Sequence, residues 1–330
     1  MRAILFPSRD TVEVTDLPAP RAGPGEVVVE IRASGLCHTD VEVLRGNYGT
    51  GAYPLVPGHE FAGVVAEVGP GVDAVAAGDR VAIDPNLNCG ACAACAKGWV
   101  HLCESLGAYG VTIDGGFAER CVVKADAVHD IGDLPFDIAA LAEPIGCVLN
   151  GVDMAHEPHM RHALIFGAGP MGLLLGLVLQ ARGLSAVTMV EPADARRNLA
   201  ASLGLSALAP GDAALGDMTQ AVDFVADATG RPSVVAEALG HVAPGGTFHM
   251  FGVCPQDARV EISPFDIFRR QLRIVGSHSL NRNIPAALDM LRELRPKLDH
   301  LISHRLTPEE MGEVFRNGLP GDALKLQVRF

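Results

Sequence analysis

Apolar and polar side chains alternate in short runs over the first 130 or so residues, at positions 12–14, 27–31, 63–68, 80–83 and 117–123, with Pro- and Gly-rich turns between them. A period of two puts one face of each run toward a core and the other toward solvent, so these runs read as short antiparallel strands. From about Asp137 the pattern changes. Helical spacing runs through 138–149, followed by five apolar runs at 163–167, 186–190, 224–227, 246–251 and 273–277. The stretches between them are long enough for crossover helices, the pattern of a doubly wound parallel sheet. Beyond Ile284 the spacing predicts helices over 286–295 and 308–315, then a strand ending in 324–328.

Length and charge narrow the picture. A chain of 330 residues with 48% apolar and 20% charged side chains has material for two folded domains. A net charge of −13 excludes nucleic acid and anionic membrane surfaces as expected partners. The opening Met-Arg-Ala-Ile-Leu-Phe-Pro has too short an apolar run for an export signal, so a cytoplasmic protein with reduced thiols is expected. The longest apolar stretch, 163–179, is broken by Gly167, Gly169, Pro170, Gly172 and Gly176. It reads as a buried strand, turn and helix, not a membrane span.

Cys89, Cys92, Cys95 and Cys103 fall in a C-x2-C-x2-C-x7-C spacing. Four thiolates in so short a loop can close a tetrahedral shell around one Zn²⁺ and leave no position for a substrate. The other four cysteines stand one by one, which favours a metal loop over disulfides. This zinc is expected to be structural.

Gly167-Ala168-Gly169-Pro170-Met171-Gly172 follows an apolar strand and opens the helix 171–181, the context that gives a G-x-G-x-x-G string its meaning. The glycines allow a pyrophosphate to approach the helix N-terminus. Glu191, nineteen residues after Gly172, ends the next strand. An acid there accepts hydrogen bonds from both ribose hydroxyls and repels a 2′-phosphate, favouring NAD over NADP. Arg196 and Arg197 are close enough to hold such a phosphate, with Arg196 kept as the cofactor-side candidate; otherwise they form a solvated helix face.

Three short motifs carry further chemistry: Gly35-Leu-Cys37-His38-Thr39-Asp40, Pro57-Gly58-His59-Glu60 and Leu141-Ala-Glu143-Pro144. Cys37, His59 and a carboxylate from Glu60 or Glu143 would make a mixed zinc site with one position open. Taken singly, each has a plainer reading as packing or a loop hydrogen bond.

Together these residues resemble the zinc-dependent medium-chain dehydrogenase/reductase (alcohol dehydrogenase-like) superfamily over essentially the whole chain. The string Gly58-His59-Glu60-x2-Gly63-x5-Gly69-x2-Val72 resembles its zinc signature, and the cysteine loop its structural-zinc lobe. Glu143-Pro144 stands where ordinary alcohol dehydrogenases carry a cysteine ligand. That departure resembles the polyol (sorbitol, arabinitol), glucose and threonine dehydrogenase branch. The resemblance implies an α/β fold: a GroES-like catalytic domain from 1–150 with its zinc lobe at 89–103, a Rossmann NAD-binding domain at 151–280, and a return at 281–330. The active site would lie in the cleft between them.

Two zinc ions per chain are implied. The catalytic one sits on Cys37, His59 and Glu60 with Glu143 near or on the metal; which glutamate is the third ligand stays open. The metal would acidify a secondary hydroxyl of a polyol or sugar, whose carbon passes hydride to NAD. Thr39 resembles the relay hydroxyl, His38 the residue beside the pyrophosphate, and Asp40 the group orienting His59. Glu42 replaces the histidine that ends the relay in many relatives. A homodimer or homotetramer is implied. Simple alcohols and L-threonine are the alternative substrates, and a silent cofactor-binding relative is the alternative of another class.

Four minor features need a reading. Ser277, His278, Ser279 and Asn281 either line a polar pocket or form a polar crossover. His156, His159 and His162 read as an exposed linker. Cys121 and Cys254 read as small buried apolar residues. Cys147 falls near the nicotinamide by resemblance.

Overall fold

The computed structural model describes residues 1–49 and 51–330. The chain forms two compact units, one built from Met1–Gly146 with Leu280–Phe330 and the other from Cys147–Ser279. Each is described by itself.

In the first unit β1 (Arg2–Leu5) and β2 (Glu13–Asp16) make an antiparallel pair. The long β3 (Glu26–Gly35) pairs with β4 (Glu60–Val68), and β5 (Arg80–Ile83) follows on the far side of β4. Two short strands, β6 (Asn86–Leu87) and β7 (Gly107–Ala108), pair across the base of the cysteine loop. After β7 come β8 (Arg120–Lys124), paired with β3, and β9 (Val128–Asp130), paired with β5. Val27, Val29 and Ile31 share one face and are fully buried, as the alternation in 27–31 predicts, but Val28 on the other face is buried too, and only Glu30 of the run is half-exposed. Val27, Val29 and Ile31 each contribute about 1.5–3 kcal/mol of apolar burial.

The second unit is a six-stranded parallel sheet made of β10 (His162–Phe166), β11 (Ala186–Val190), β12 (Ser206–Leu208), β13 (Val222–Asp227), β14 (Val242–Met250) and β15 (Arg273–Gly276). The order β12-β11-β10-β13-β14-β15 reverses direction beside β10, which is where a doubly wound sheet opens its ligand crevice. The apolar runs predict five of these strands. The sixth, β12, is only three residues long and half-exposed, so its pattern is too brief to read. The stretch 163–179 divides into β10, a turn and the helix Pro170–Ala181, whose residues from Gly172 to Leu179 are all buried. Another apolar helical stretch, Phe136–Ala155, is 83% buried in the fold.

The tail adds β16 (Ile302–Leu306) and β17 (Lys325–Val328) to the first unit. Its sheet then runs β16-β17-β3-β4-β5-β9, with β8 on β3. Two registers decide where the chemistry goes. Gly35 at the end of β3 stands opposite Glu60 at the start of β4. Gly35 also stands opposite Gln327 of β17. The turn after β3, the approach to β4 and the start of β17 therefore converge.

Candidate active site

Cys37 follows β3 and is the N-cap of the helix His38–Leu44, with extended backbone (φ −110°, ψ 155°). Asp40, in the first turn of that helix, is fully buried and ties two stretches of chain together. Its Oδ2 accepts from the Cys37 backbone N–H at 2.9 Å, and its Oδ1 accepts from the Gly58 N–H at 3.2 Å. The same Oδ1 lies 3.2 Å from His59 Nδ1. Gly58 has φ +94°, and a Cβ there would come within 2.9 Å of the Phe117 ring and 3.0 Å of Ser34 Oγ. Only glycine turns the chain here and delivers His59 beside Asp40.

The ligand atoms of Cys37, His59 and Glu60 all lie within 4.8 Å of one another. Burial alone would lower the His59 pKa, but the Asp40 carboxylate and the Cys37 sulfur more than offset it, leaving it well above the usual range. With Asp40 on Nδ1, Nε2 is the ring nitrogen available to a metal. Glu60 is 1% exposed, and its Oε2 has a charge contact but no aligned hydrogen bond. A half-buried thiol, a buried imidazole and a buried carboxylate converging on one point are a donor set that fits a zinc ion. Glu143 stands outside this trio, buried in the first turn of the helix Ala142–Ala155.

The charge contact on Glu60 comes from Lys325, a residue that sequence reasoning missed. Lys325 opens β17, is 5% exposed, and forms an ion pair with Glu60 Oε2 while donating to the Leu36 carbonyl at 3.0 Å. Burial opposes its charge, but Glu60, Cys37 and Glu143 act the other way, and its pKa stands raised. The sequence shows only a lysine in a short apolar run; the structure shows that every residue of β17 is buried, so that this lysine needs a partner.

Cys89, Cys92, Cys95 and Cys103 form the other group with ligand atoms within 4.8 Å. Cys89 and Cys95 sulfurs are 4.0 Å apart, and those of Cys92 and Cys103 3.9 Å. Four sulfurs at the usual Zn–S length stand about 3.8 Å apart, so the loop is shaped for the ion. The Cys89 backbone N–H aims at Cys103 Sγ from 3.3 Å and is the main reason the Cys103 pKa is held down to about 6. Desolvation, first among the causes, and the neighbouring thiols push Cys95 up to about 12. No disulfide joins any of the eight cysteines.

In the second unit Gly167 ends β10 with φ +102°, and Gly169 is the N-cap of the helix Pro170–Ala181. A Cβ on Gly172 would lie 2.0 Å from the Gly167 carbonyl oxygen, whereas a Cβ on Gly169 would meet nothing within 4 Å. The turn is thus tight inside and open outward, as a pyrophosphate cradle must be. Glu191 is buried at the end of β11. Its Oε2 accepts from the Ala168 N–H at 2.9 Å and its Oε1 from the Ala193 N–H at 3.0 Å. The acid is fixed, yet each oxygen keeps a lone pair for a ribose hydroxyl.

The chain is similar in sequence and fold to known proteins. Residues 23–133 match the alcohol dehydrogenase GroES-like domain, and residues 170–293 the zinc-binding dehydrogenase domain. D-altritol 5-dehydrogenase of Agrobacterium fabrum is 48% identical, covering 100% of this chain and 99% of its own length. The chain belongs to the zinc-binding alcohol dehydrogenase family. D-arabinitol dehydrogenase 1 of Uromyces fabae is 31% identical over 100% of this chain and 97% of its own. The crystal structure of a zinc-binding dehydrogenase from Sinorhizobium meliloti 1021 bound to NADP superimposes with a TM-score of 0.94 at 31% identity, covering 100% of this chain and 99% of that one.

Within this alcohol dehydrogenase fold the remaining candidates divide. Thr39 is half-buried in the turn after Cys37. His38 is exposed, its Nε2 3.5 Å from Glu42 Oε1. Glu42 accepts from Asn47 at 2.9 Å and from Arg45 at 3.1 Å, and the Asn47 bond is the leading cause of its lowered pKa. It is a held carboxylate and a weak proton acceptor.

Arg197 departs from the solvated-face reading. It donates to the carbonyls of Glu191 and Pro192 at 2.7 Å and pairs with Asp194, so its guanidinium braces the turn after β11. Arg196 is half-buried on the same helix. Ser277 faces inward, its Oγ 2.9 Å from His249 Nε2, and Asn150 ties down the His278 and Ser279 carbonyls at 3.2 and 2.9 Å. The crossover reading therefore suits these residues better than a pocket. His159 and His162 are exposed and His156 half-buried; they form no ligand group. Cys121 is buried, which pushes its thiol pKa up, and Cys254 packs against the second-unit core.

Proposed function

We propose that this dehydrogenase oxidises a secondary hydroxyl of a polyol or sugar reversibly, with NAD as hydride acceptor and two zinc ions per chain. The observation that carries this reading is the convergence of the half-buried Cys37 with the buried His59 and Glu60. The 48% identity to D-altritol 5-dehydrogenase and the likeness to D-arabinitol dehydrogenase 1 support the substrate class.

When bound, zinc supplies Lewis acidity at the substrate hydroxyl and the nicotinamide accepts hydride. The chain's own residues do the rest. Cys37, His59 and Glu60 hold the catalytic ion, Glu143 supplies a second carboxylate, and Asp40 orients His59. The Thr39 hydroxyl takes the first step of proton removal. The turn from Gly167 to Gly172 seats the pyrophosphate and Glu191 the ribose. Cys89, Cys92, Cys95 and Cys103 hold the structural ion.

Glu191 supports NAD, because a 2′-phosphate would meet a fixed, buried carboxylate. NADP is the second reading, favoured by the NADP-bound Sinorhizobium relative, with Arg196 as its phosphate partner. A screen of reduced-cofactor formation over D-altritol, D-arabinitol, other polyols, aldoses, simple alcohols and L-threonine, with NAD and NADP in parallel, tests both. Activity confined to simple alcohols or L-threonine would overturn the substrate class. Metal analysis giving one zinc per chain would overturn the catalytic centre.

We further infer a homo-oligomer formed through the second unit. β15 is the outer strand of its sheet, and the helix Pro264–Arg270 beyond β14 buries none of its residues. Val253, Phe265 and Phe268 are 92%, 68% and 80% exposed. An open edge beside an apolar face suits a second copy across a two-fold axis. Light scattering of Phe268→Glu against the parent tests it; an unchanged mass would rule this face out. We place the protein in the cytoplasm, where reduced thiols suit a four-cysteine zinc loop.

A further inference from the structure

Lys325 is a buried cation set among groups that would otherwise be a concentration of negative charge. Glu60 and Glu143 are buried, and the half-buried Cys37 converges with Glu60. Among the described residues, Lys325 Nζ contacts the Glu60 carboxylate and the Leu36 carbonyl. The fit is built in at Gly35, where a Cβ would lie 2.2 Å from Glu60 Oε2 and 3.1 Å from Lys325 Cε. Any larger residue at that point of β3 would drive the two side chains apart.

A carboxylate that serves a buried ammonium and a zinc ion is shared between two cations that repel each other. We propose that Lys325 is a positioning residue that holds Glu60 and competes with the catalytic metal for its carboxylate. This rests on reading Cys37, His59 and Glu60 as the metal site. Lys325 keeps the empty site folded by neutralising Glu60. It weakens the hold on zinc once the ion enters, so that Glu60 is a loose ligand and Glu143 a nearby replacement. Removing the ammonium leaves an unpaired buried carboxylate without metal and an uncontested ligand with it.

The experiment compares the parent, Lys325→Met and Lys325→Gln, each stripped and reloaded with zinc or cobalt. Lys325→Gln keeps a donor for the Leu36 carbonyl and reports the same competition should the methionine variant fail to fold. Expected are an affinity for the second zinc raised about 10–100-fold by chelator competition, and a melting temperature that falls more in the stripped protein than in the loaded one. The cobalt spectrum should also change in its ligand-field bands, a signature that a purely structural lysine would not move. Adding Glu60→Gln should abolish the affinity gain, as a double-mutant cycle requires. Unchanged affinity, with equal melting losses in stripped and loaded protein, would overturn the proposal while leaving the site intact. A parent protein that never takes up a second metal would instead sink the metal-site reading on which it rests.

Discussion

Asp40 Oδ1 lies 3.2 Å from His59 Nδ1, and Asp40 also accepts the backbone N–H groups of Cys37 and Gly58. One buried carboxylate thus sets the ring of one candidate ligand and the backbone of another. Asp40→Asn should keep the fold but lower affinity for the second zinc by about 10–100-fold. Chelator competition on purified protein reads this directly. An affinity matching the parent would mean that His59 is positioned by something else.

Cys37→Ser tests the centre itself. Replacing the soft thiolate by a weakly acidic hydroxyl should reduce zinc content from two toward one per chain and abolish turnover. NAD binding, read by fluorescence or calorimetry, should stay within about threefold, because Gly167–Gly172 and Glu191 belong to the other unit.

Glu191→Ser addresses the cofactor. Loss of the charged acceptor should raise the NADP-to-NAD ratio of kcat/KM by about 10–100-fold, the effect of one or two charge-assisted hydrogen bonds and a removed repulsion. A ratio that does not move would assign the preference elsewhere, with Arg196 the next residue to change.

Cys103→Ala addresses the cysteine loop. The variant should lose one zinc and melt several degrees lower, while kcat of the surviving folded protein stays within about threefold. Loss of turnover in folded, catalytically metallated protein would show that the loop does more than hold local structure.

His249 gives a pH prediction. It is fully buried, 2.9 Å from Ser277 Oγ and edge-on to Phe224, and burial holds its pKa down to about 4 against 6.5 for an ordinary imidazole. The folded state binds this proton less readily than the unfolded chain. Its stabilising contribution is therefore complete above pH 6.5 and lost as pH falls toward 4, to a total of about 3 kcal/mol. Asp84, pushed up to about 6 by burial, works in the opposite direction over the same window. The informative quantity is the difference between parent and His249→Gln in urea unfolding at pH 7 and pH 4.5. That difference should shrink as pH falls; a constant one would remove His249 from the acid response.

Much of this was legible in the chain. Period-two runs and crossover spacings announce two kinds of sheet, and the zinc and dinucleotide motifs depend on local geometry that local residues encode. Gly172 is an instance, required by the nearby Gly167 carbonyl, whereas Gly58 is required by Phe117 and Ser34, both distant along the chain. What escaped depends on long-range register. Lys325 reaches Glu60 because β17 crosses β3 at Gly35, a pairing between positions nearly three hundred residues apart. β12 escaped for the opposite reason, being too short to carry a period. Arg197 looked like a solvated cation because sequence spacing does not reveal which carbonyls a guanidinium folds back upon.

The interrupted first unit also dictates an order of assembly. A ribosome delivers Cys37, His59 and Glu60 early, then the whole of Cys147–Ser279, and only afterwards β16 and β17. The second unit is continuous and can fold as it emerges, whereas Glu60 waits for Lys325 until that unit has been made. Until then the three candidate ligands lack their buried cation. The cysteine loop needs no such delay, since Cys89 to Cys103 arrive together. The four-cysteine group can therefore be complete early in synthesis, whereas the Cys37, His59 and Glu60 group gains its buried lysine only once β17 has been made.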